Sequence, residues 1–187
     1  VLTAGKDVQA TYLLNCQLKA NGKLLVEGRK GVIIGGKTCA KLGVSCNGIG
    51  NIAEIATVVS VGIDKEDMTA YQELQKKIEQ TQAELQTCEN GLNKLMANPV
   101  HDEKVSMMIQ RLTRAVYTLK SSRKELFSER NAQMEQMTKQ KEARIQVSGR
   151  AYPGTLLFLN EDPFAIKEIY NNVEFVKHDN RIDTLAH

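Results

Sequence analysis

Hydrophobic positions in this chain follow two different periods. Between residues 1 and 63 short runs alternate apolar and polar side chains: Leu14, Cys16, Leu18 and Ala20 interleave with Asn15, Gln17 and Lys19, which puts one apolar row on one face of a strand. Glycine separates the runs, nine of the 13 falling within the first 50 residues. A Gly-Lys pair recurs at Gly5-Lys6, Gly22-Lys23 and Gly36-Lys37, each followed two residues later by an apolar side chain, Val8, Leu25 or Cys39. Spacings of 17 and 14 residues suit one coil of a β-solenoid, with a glycine turning each corner. A β-sandwich has similar strands; the repeated turn and the shortness of the runs favour the solenoid.

From Asp64 the period becomes helical. Tyr71, Ile78, Leu85 and Leu92 occupy one seam position and Leu74, Thr81, Cys88 and Leu95 the other, in unbroken alternation of three and four residues. Asp64 is placed to cap this helix, and Glu66 and Asp67 suit the positive end of its dipole. Asn98-Pro99 is a stop and Asp102 a second cap. A second helix is predicted from Glu103 to Arg144, with Val105, Met108 or Ile109, Leu112, Val116, Leu119 and Leu126 as its stripe, fading into Arg130, Gln133, Met134 and Met137. Residues 98–101 leave room only for a tight reversal, so 64–144 reads as an antiparallel coiled-coil hairpin. The first helix extends roughly 48 Å, more than a small domain needs to fill its core, and the hairpin is expected to stand out as an arm. Two helices packed on the β region are the compact alternative.

Strand patterning returns after Arg144. Ile145 and Val147 alternate with Gln146 and Ser148, Tyr152-Pro153-Gly154 turns the chain, and Leu156 to Leu159 is apolar. Glu161-Asp162-Pro163 reads as another turn, before short strands around Phe164, Ile166 and Glu168 and around Val173 and Phe175. The predicted architecture is α+β: β-solenoid coils in 1–63, the hairpin in 64–144, and strands in 145–187 that rejoin or cap the solenoid, whose bare end would expose strand edges.

Composition narrows the function. Five Tyr, four Phe and no Trp argue against a large substrate pocket. The formal net charge of +3 is small because its segments oppose one another: seven acids and four bases over 64–97, six acids and ten bases over 102–144. Opposite signs suit the two helices to each other. No stretch approaches the roughly 20 apolar residues of a membrane span. Cys16, Cys39, Cys46 and Cys88 lack paired zinc-site spacing and nothing resembles a signal peptide, so reduced thiols in a cytoplasm are expected. The chain opens at Val1 without a Met and runs directly into the repeat, the pattern of a segment of a longer protein.

Gly31-Val32-Ile33-Ile34-Gly35-Gly36-Lys37-Thr38 matches the phosphate-loop pattern, and a nucleotide-binding enzyme using Gly31 to Thr38 is the alternative function. Context opposes it: Thr38 is followed by a glycine spacing hostile to a helix, and Gly36-Lys37 reads as the third Gly-Lys turn. His101, in the hairpin reversal, His178 and His187 have no Ser or Cys partner in context. Cys39 and Cys46 could ligate a metal but read as small apolar residues inside the coils. Arg111, Arg114, Lys120, Arg123 and Lys124 are accounted for by the acidic first helix rather than by nucleic acid, with no aromatic interleaved for stacking. No catalytic, cofactor-binding or metal-binding residue is expected. The site candidates are the structural seam residues Tyr71, Leu74, Ile78, Leu85, Leu92, Leu95, Leu112, Val116, Leu119 and Leu126.

The order of these features, Gly-Lys solenoid turns, a Val61-Gly62-Ile63-Asp64 junction into the helices, and a return through Ile145-Gln146-Val147-Ser148-Gly149-Arg150-Ala151-Tyr152-Pro153-Gly154, resembles the C-terminal part of the bacterial flagellar assembly protein A family, over essentially all 187 residues. The resemblance implies a right-handed β-helix with a protruding coiled-coil insertion, an N-terminal domain outside this chain, and a non-enzymatic role in flagellar assembly or polar organisation. No catalytic residue carries over. Where that family leads into an Ile-Gly turn, this chain has Leu159-Asn160. The expected protein is a scaffold of the cytoplasm or cell pole. Its hairpin would bind protein partners, a second copy among them, without cofactor, small-molecule substrate, nucleic acid or membrane insertion.

Overall fold

The computed structural model describes residues 1–97, 102–179 and 181–186. The strands β1 (Leu2–Ala4), β3 (Tyr12–Ala20), β5 (Val32–Ala40), β7 (Thr57–Val61) and β9 (Thr155–Leu159) pair in parallel in that order. A second parallel ladder runs through β2 (Val8–Ala10), β4 (Lys23–Val26), β6 (Gly43–Ile49) and β8 (Ile145–Ala151). The first residues of β3 and β5 and the last of β6 and β8 build a third, in which Leu13, Ile33, Ile49 and Ala151 stand over one another. The chain therefore coils through three faces as a β-solenoid. Alternation explains why: each strand turns every second side chain inward, onto its counterpart in the next coil. Leu18, Thr38, Val59 and Leu157 make one buried column, Leu24, Val44, Ile145 and Phe175 another.

Register corrects the period read from the glycines. Leu2 lies over Leu18 and Val8 over Leu24, 16 residues apart and close to the first spacing, but Leu13 lies over Ile33, Leu18 over Thr38 and Leu24 over Val44, an offset of 20. Gly5-Lys6 and Gly22-Lys23 share one corner, where the Gly22 amide donates to the Lys6 carbonyl at 3.3 Å. The next occupant of that corner is Lys41-Leu42, whose amides donate to Ala20 and Gly22 at 3.0 and 3.1 Å. Gly36-Lys37 instead stacks between Cys16-Gln17 and Thr57-Val58, inside a different face. A coil is closed by what faces inward, and its corners tolerate several chemistries.

Antiparallel strands close one end. β10 (Asp162–Ala165) folds back on β9, β11 (Tyr170–His178) pairs with β8, and β12 (Arg181–Ala186) with β11, which leaves these parallel edges covered. The β9–β10 turn is Asn160-Glu161, both at positive φ (49° and 71°), the two-residue reversal that matches strand twist. Asp162 and Pro163, expected in the turn, are already in the strand, and Ile166 and Glu168 lie outside any strand. Phe164, Tyr170 and Phe175 form one aromatic cluster here, with centroids 5.5–6.4 Å apart, and Lys177 pairs with Asp162.

Between β7 and β8 lie two helices, α1 (Lys65–Met96) and α2 (Glu103–Lys141). At the same corner earlier coils need only Asn21-Gly22 and Lys41-Leu42. Contacts divide the chain into two compact units, Val1–Asp67 with Gln136–His187, and Met68–Glu135. The second helix stops before the expected Arg144 because Ala143 is buried and the Arg144 carbonyl already accepts from the Val44 amide at 3.0 Å. The expected stop at Asn98-Pro99, the reversal over 98–101 with His101, and His187 lie outside the described residues.

Candidate functional site

The phosphate-loop-like segment is a strand. Val32–Ala40 forms β5, no helix follows Thr38, and the Thr38 side chain is buried between Leu18 and Val59, where its hydroxyl cannot reach a nucleotide-bound metal. The Gly35 amide is taken by the Thr57 hydroxyl at 2.8 Å. These positions lack the strand, loop and helix succession that the phosphate-loop pattern requires. Cys46 faces inward, and burial pushes its thiol up to about 12, far from a reactive thiolate. Cys39, expected inside, is half-buried on the outward side of β5, in line with Lys19 and Ser60. His178 is exposed at the end of β11. Among the described residues no cluster of three or more His, Cys, Asp or Glu could hold a metal ion.

The chemistry at the start of α1 is that of attachment. Asp64 Oδ1 accepts from the Asp67 amide at 2.9 Å and Asp67 Oδ2 from the Asp64 amide at 3.3 Å, a reciprocal cap. Lys19 of β3 reaches Asp64 at 3.3 Å and also Glu66, while Lys41 pairs with Asp67 at 2.5 Å. Burial works against the Asp64 charge, but the Asp67 amide, then Lys41 and Lys19, outweigh it and hold the carboxyl below its ordinary range. Lys19 is raised, first by its hydrogen bond to Glu66. Sequence reasoning missed the second fastening. Asn160 Oδ1 accepts from the Ile63 amide at 2.9 Å and its Nδ2 donates to the Lys141 carbonyl at 3.2 Å, so one side chain holds the residues just before α1 and at the end of α2. The available signal was an Asn at the first position of a two-residue turn, where a left-handed backbone aims a short amide back at neighbouring peptides.

Asp64→Ala is expected to cost about 1 kcal/mol through the lost cap. A lowered folded-state pKa means that the unfolded chain takes up the proton first. The Asp64 contribution is therefore complete above the ordinary 3.8 and is lost as pH falls through the folded value. Urea midpoints followed from pH 7 to pH 3 should fall less steeply for Asp64→Asn than for the parent; equal slopes would assign the acid sensitivity elsewhere.

Within Met68–Glu135, side-chain burial follows the heptad. Leu74, Ile78 and Leu85 are buried, and Tyr71, Leu92, Leu95, Leu112, Val116, Leu119 and Leu126 are half-buried. Ile109 rather than Met108 continues the α2 stripe, and Arg130, Gln133 and Met137 extend it while Met134 is exposed. Gln82 accepts from Arg123 at 2.7 Å, Glu89 pairs with Lys120 at 2.8 Å, and the Gly91 backbone lies beside Leu112. As numbers rise on α1 they fall on α2. The expected neutralisation of α2 by α1 is incomplete: among the described residues Lys104, Arg111, Arg114, Arg123 and Lys124 have no ion-pair partner. Tyr117, overlooked as an interleaved aromatic, stands among them at 78% exposure.

The profile of the Flagellar Assembly Protein A beta solenoid domain matches residues 1–182. Comparison with curated proteins and with solved structures finds no match.

Proposed function

The chain belongs to the flagellar assembly protein A β-solenoid family, and from that premise we propose that it is a non-enzymatic scaffold whose solenoid is a rigid body and whose two helices, paired antiparallel, are the partner-binding element. Family membership ties the chain to flagellar assembly. The observation that carries the finer reading is the insertion itself. A corner that two residues close in earlier coils is given to helices of 32 and 39 residues, more than solenoid closure needs. The residues that begin and end the insertion, all within the solenoid unit, are fastened by Asp64, Lys19, Lys41 and Asn160, which suits an insertion built into the corner. A cytoplasmic location is part of the same proposal. Among the described residues no helix is long and apolar enough to cross a membrane.

Replacing residues 64–142 of the full-length protein by a short Gly-Ser link tests it. Slow amide exchange in β3, β5 and β6 should persist, and proteins that co-purify from the native cell with the parent should be lost. Undiminished co-purification would place partner binding on the solenoid instead.

A further inference from the structure

We propose that the outward face of the first half of α2, carried by Met107, Arg111, Arg114, Tyr117 and Lys124, is the docking surface for an acidic segment of a protein partner. The proposal rests on the helices being the partner-binding element and names the chemistry they select. Residues 103–124 hold six cations and one anion, whereas residues 125–141 hold three of each. At about 100° per residue, Arg114 and Met107 point directly away from the stripe of Leu112, Val116 and Leu119, with Arg111 on one flank and Tyr117 and Lys124 on the other. Cations on paired helices ordinarily neutralise the facing helix. Lys120 does so through Glu89, and Arg123 turns to the neutral Gln82; Lys104, Arg111, Arg114 and Lys124 have no partner of either kind among the described residues. Beside them Met107 is 51% and Tyr117 78% exposed.

Unneutralised cations interleaved with an exposed aromatic and a thioether have the composition of an interface centre. Arg and Tyr supply directional, largely pre-organised contacts, and Met adapts its shape. The cations from Arg111 to Lys124 extend over roughly 20 Å of helix. The complementary surface presents carboxylates over that length, with an apolar side chain between them to lie on Tyr117. Other occupants fit less well. A lipid surface calls for a broad apolar face, and here two exposed apolar residues serve several polar ones. Five cations without an ion pair, Lys104, Arg111, Arg114, Arg123 and Lys124, still fall short of the about 6–10 contacts that proteins commonly make to a phosphate backbone. A second copy would have to bring acids, but the outer side of α1, opposite its own stripe, sets Lys76 and Lys94 beside Glu73 and Glu79 and offers no net negative charge.

The test uses the full-length protein in its native cell. A photo-crosslinking p-benzoylphenylalanine is placed at position 117 and, as control, at position 80 on α1. Adducts at 117 in excess of 80 should map to one segment of another protein that is rich in Asp and Glu. Arg111→Glu with Arg114→Glu should lower co-purification of that protein at least tenfold at unchanged helical circular dichroism, because both side chains are exposed, and Glu→Lys changes in the mapped segment should restore it. Adducts equal at the two positions, adducts on a second copy of this chain or on a segment without acids, or a double variant that still binds would each overturn the proposal. So would a charge-dependent affinity of the purified protein for vesicles containing phosphatidylglycerol, or for a 30-nucleotide DNA, without a protein adduct. Loss of the partner in the variant lacking 64–142 but not in the charge-reversed one removes this inference alone; retention in both removes the scaffold reading as well.

Discussion

Phe175→Ala is expected to lower the stability of the solenoid by about 3–5 kcal/mol. Phe175 is fully buried, stands opposite Ile145 in the β8–β11 pairing, and lies within 5.5 and 5.7 Å of the Phe164 and Tyr170 ring centres. It ends the column that runs through Leu24, Val44 and Ile145, so its removal leaves a ring-sized cavity between the last coil and the strands that close it. Those strands are antiparallel and cannot slide to refill the space without breaking register with β8. Each coil of a stacked array touches only its neighbours, so the loss should decline with distance from the cap. Amide exchange should quicken most in β8, β9 and β11 and least in β3, alongside a lowered urea midpoint. Tyr117→Ala, a change of similar size at an exposed site, should stay within about 0.5 kcal/mol of the parent. A uniform loss across all strands would mean that the solenoid unfolds as one cooperative block, and a loss under about 1 kcal/mol that the cap repacks around alanine.

That cap was the least legible part of the fold. The helices could be read because a seam repeats within seven residues and its geometry is local; Asp64 and Asp102 cap as their positions suggest, with Asp102 Oδ1 accepting from the Val105 amide at 2.8 Å. Solenoid strands were legible as strands, but their register was not, because Leu18 is positioned by Thr38 and Leu24 by Val44, 20 residues away, and no turn residue reports that distance. The Gly-Lys pairs misled for this reason: Gly36 is a glycine because the chain there has φ 77° hard against the Cys16 backbone, not because it turns the Gly22 corner. Cys39 went to the wrong side with the register, since one residue decides which face a strand side chain takes. On α2 the error was of another kind. Net charges of the two helices oppose each other, but pairing depends on which flank a cation occupies, and Arg111 and Arg114 lie on the outer side. Tertiary fastenings such as Asn160 to Ile63 cross nearly a hundred positions of sequence and leave only a short turn as their trace.

Asn160→Ala is expected to cost about 2–3 kcal/mol, made up of two lost side-chain hydrogen bonds and a left-handed backbone that alanine tolerates poorly. The donors and acceptors at stake are peptide groups: the Ile63 amide, which Oδ1 receives at 2.9 Å, and the Lys141 carbonyl, which Nδ2 reaches at 3.2 Å. The backbone amide of Asn160 is itself engaged with the Val61 carbonyl at 2.9 Å, which fixes the turn against the residues leading to α1. Two further variants separate the contributions. Asn160→Gly accepts φ 49° without strain and restores the Ile-Gly type of turn implied by the family, so it should lose only the hydrogen bonds, about 1–2 kcal/mol. Asn160→Asp keeps the acceptor for Ile63 but sets a carboxylate against the Lys141 carbonyl, and should fall between glycine and alanine at neutral pH while recovering as the carboxyl takes up a proton. Exchange of the Ile63 amide is the local readout, quickened in the alanine and glycine variants and least in the aspartate. A glycine variant as stable as the parent, with Ile63 still protected, would show that the bracket is dispensable and that Lys19, Lys41 and the Asp64 cap alone fasten the helices to the solenoid.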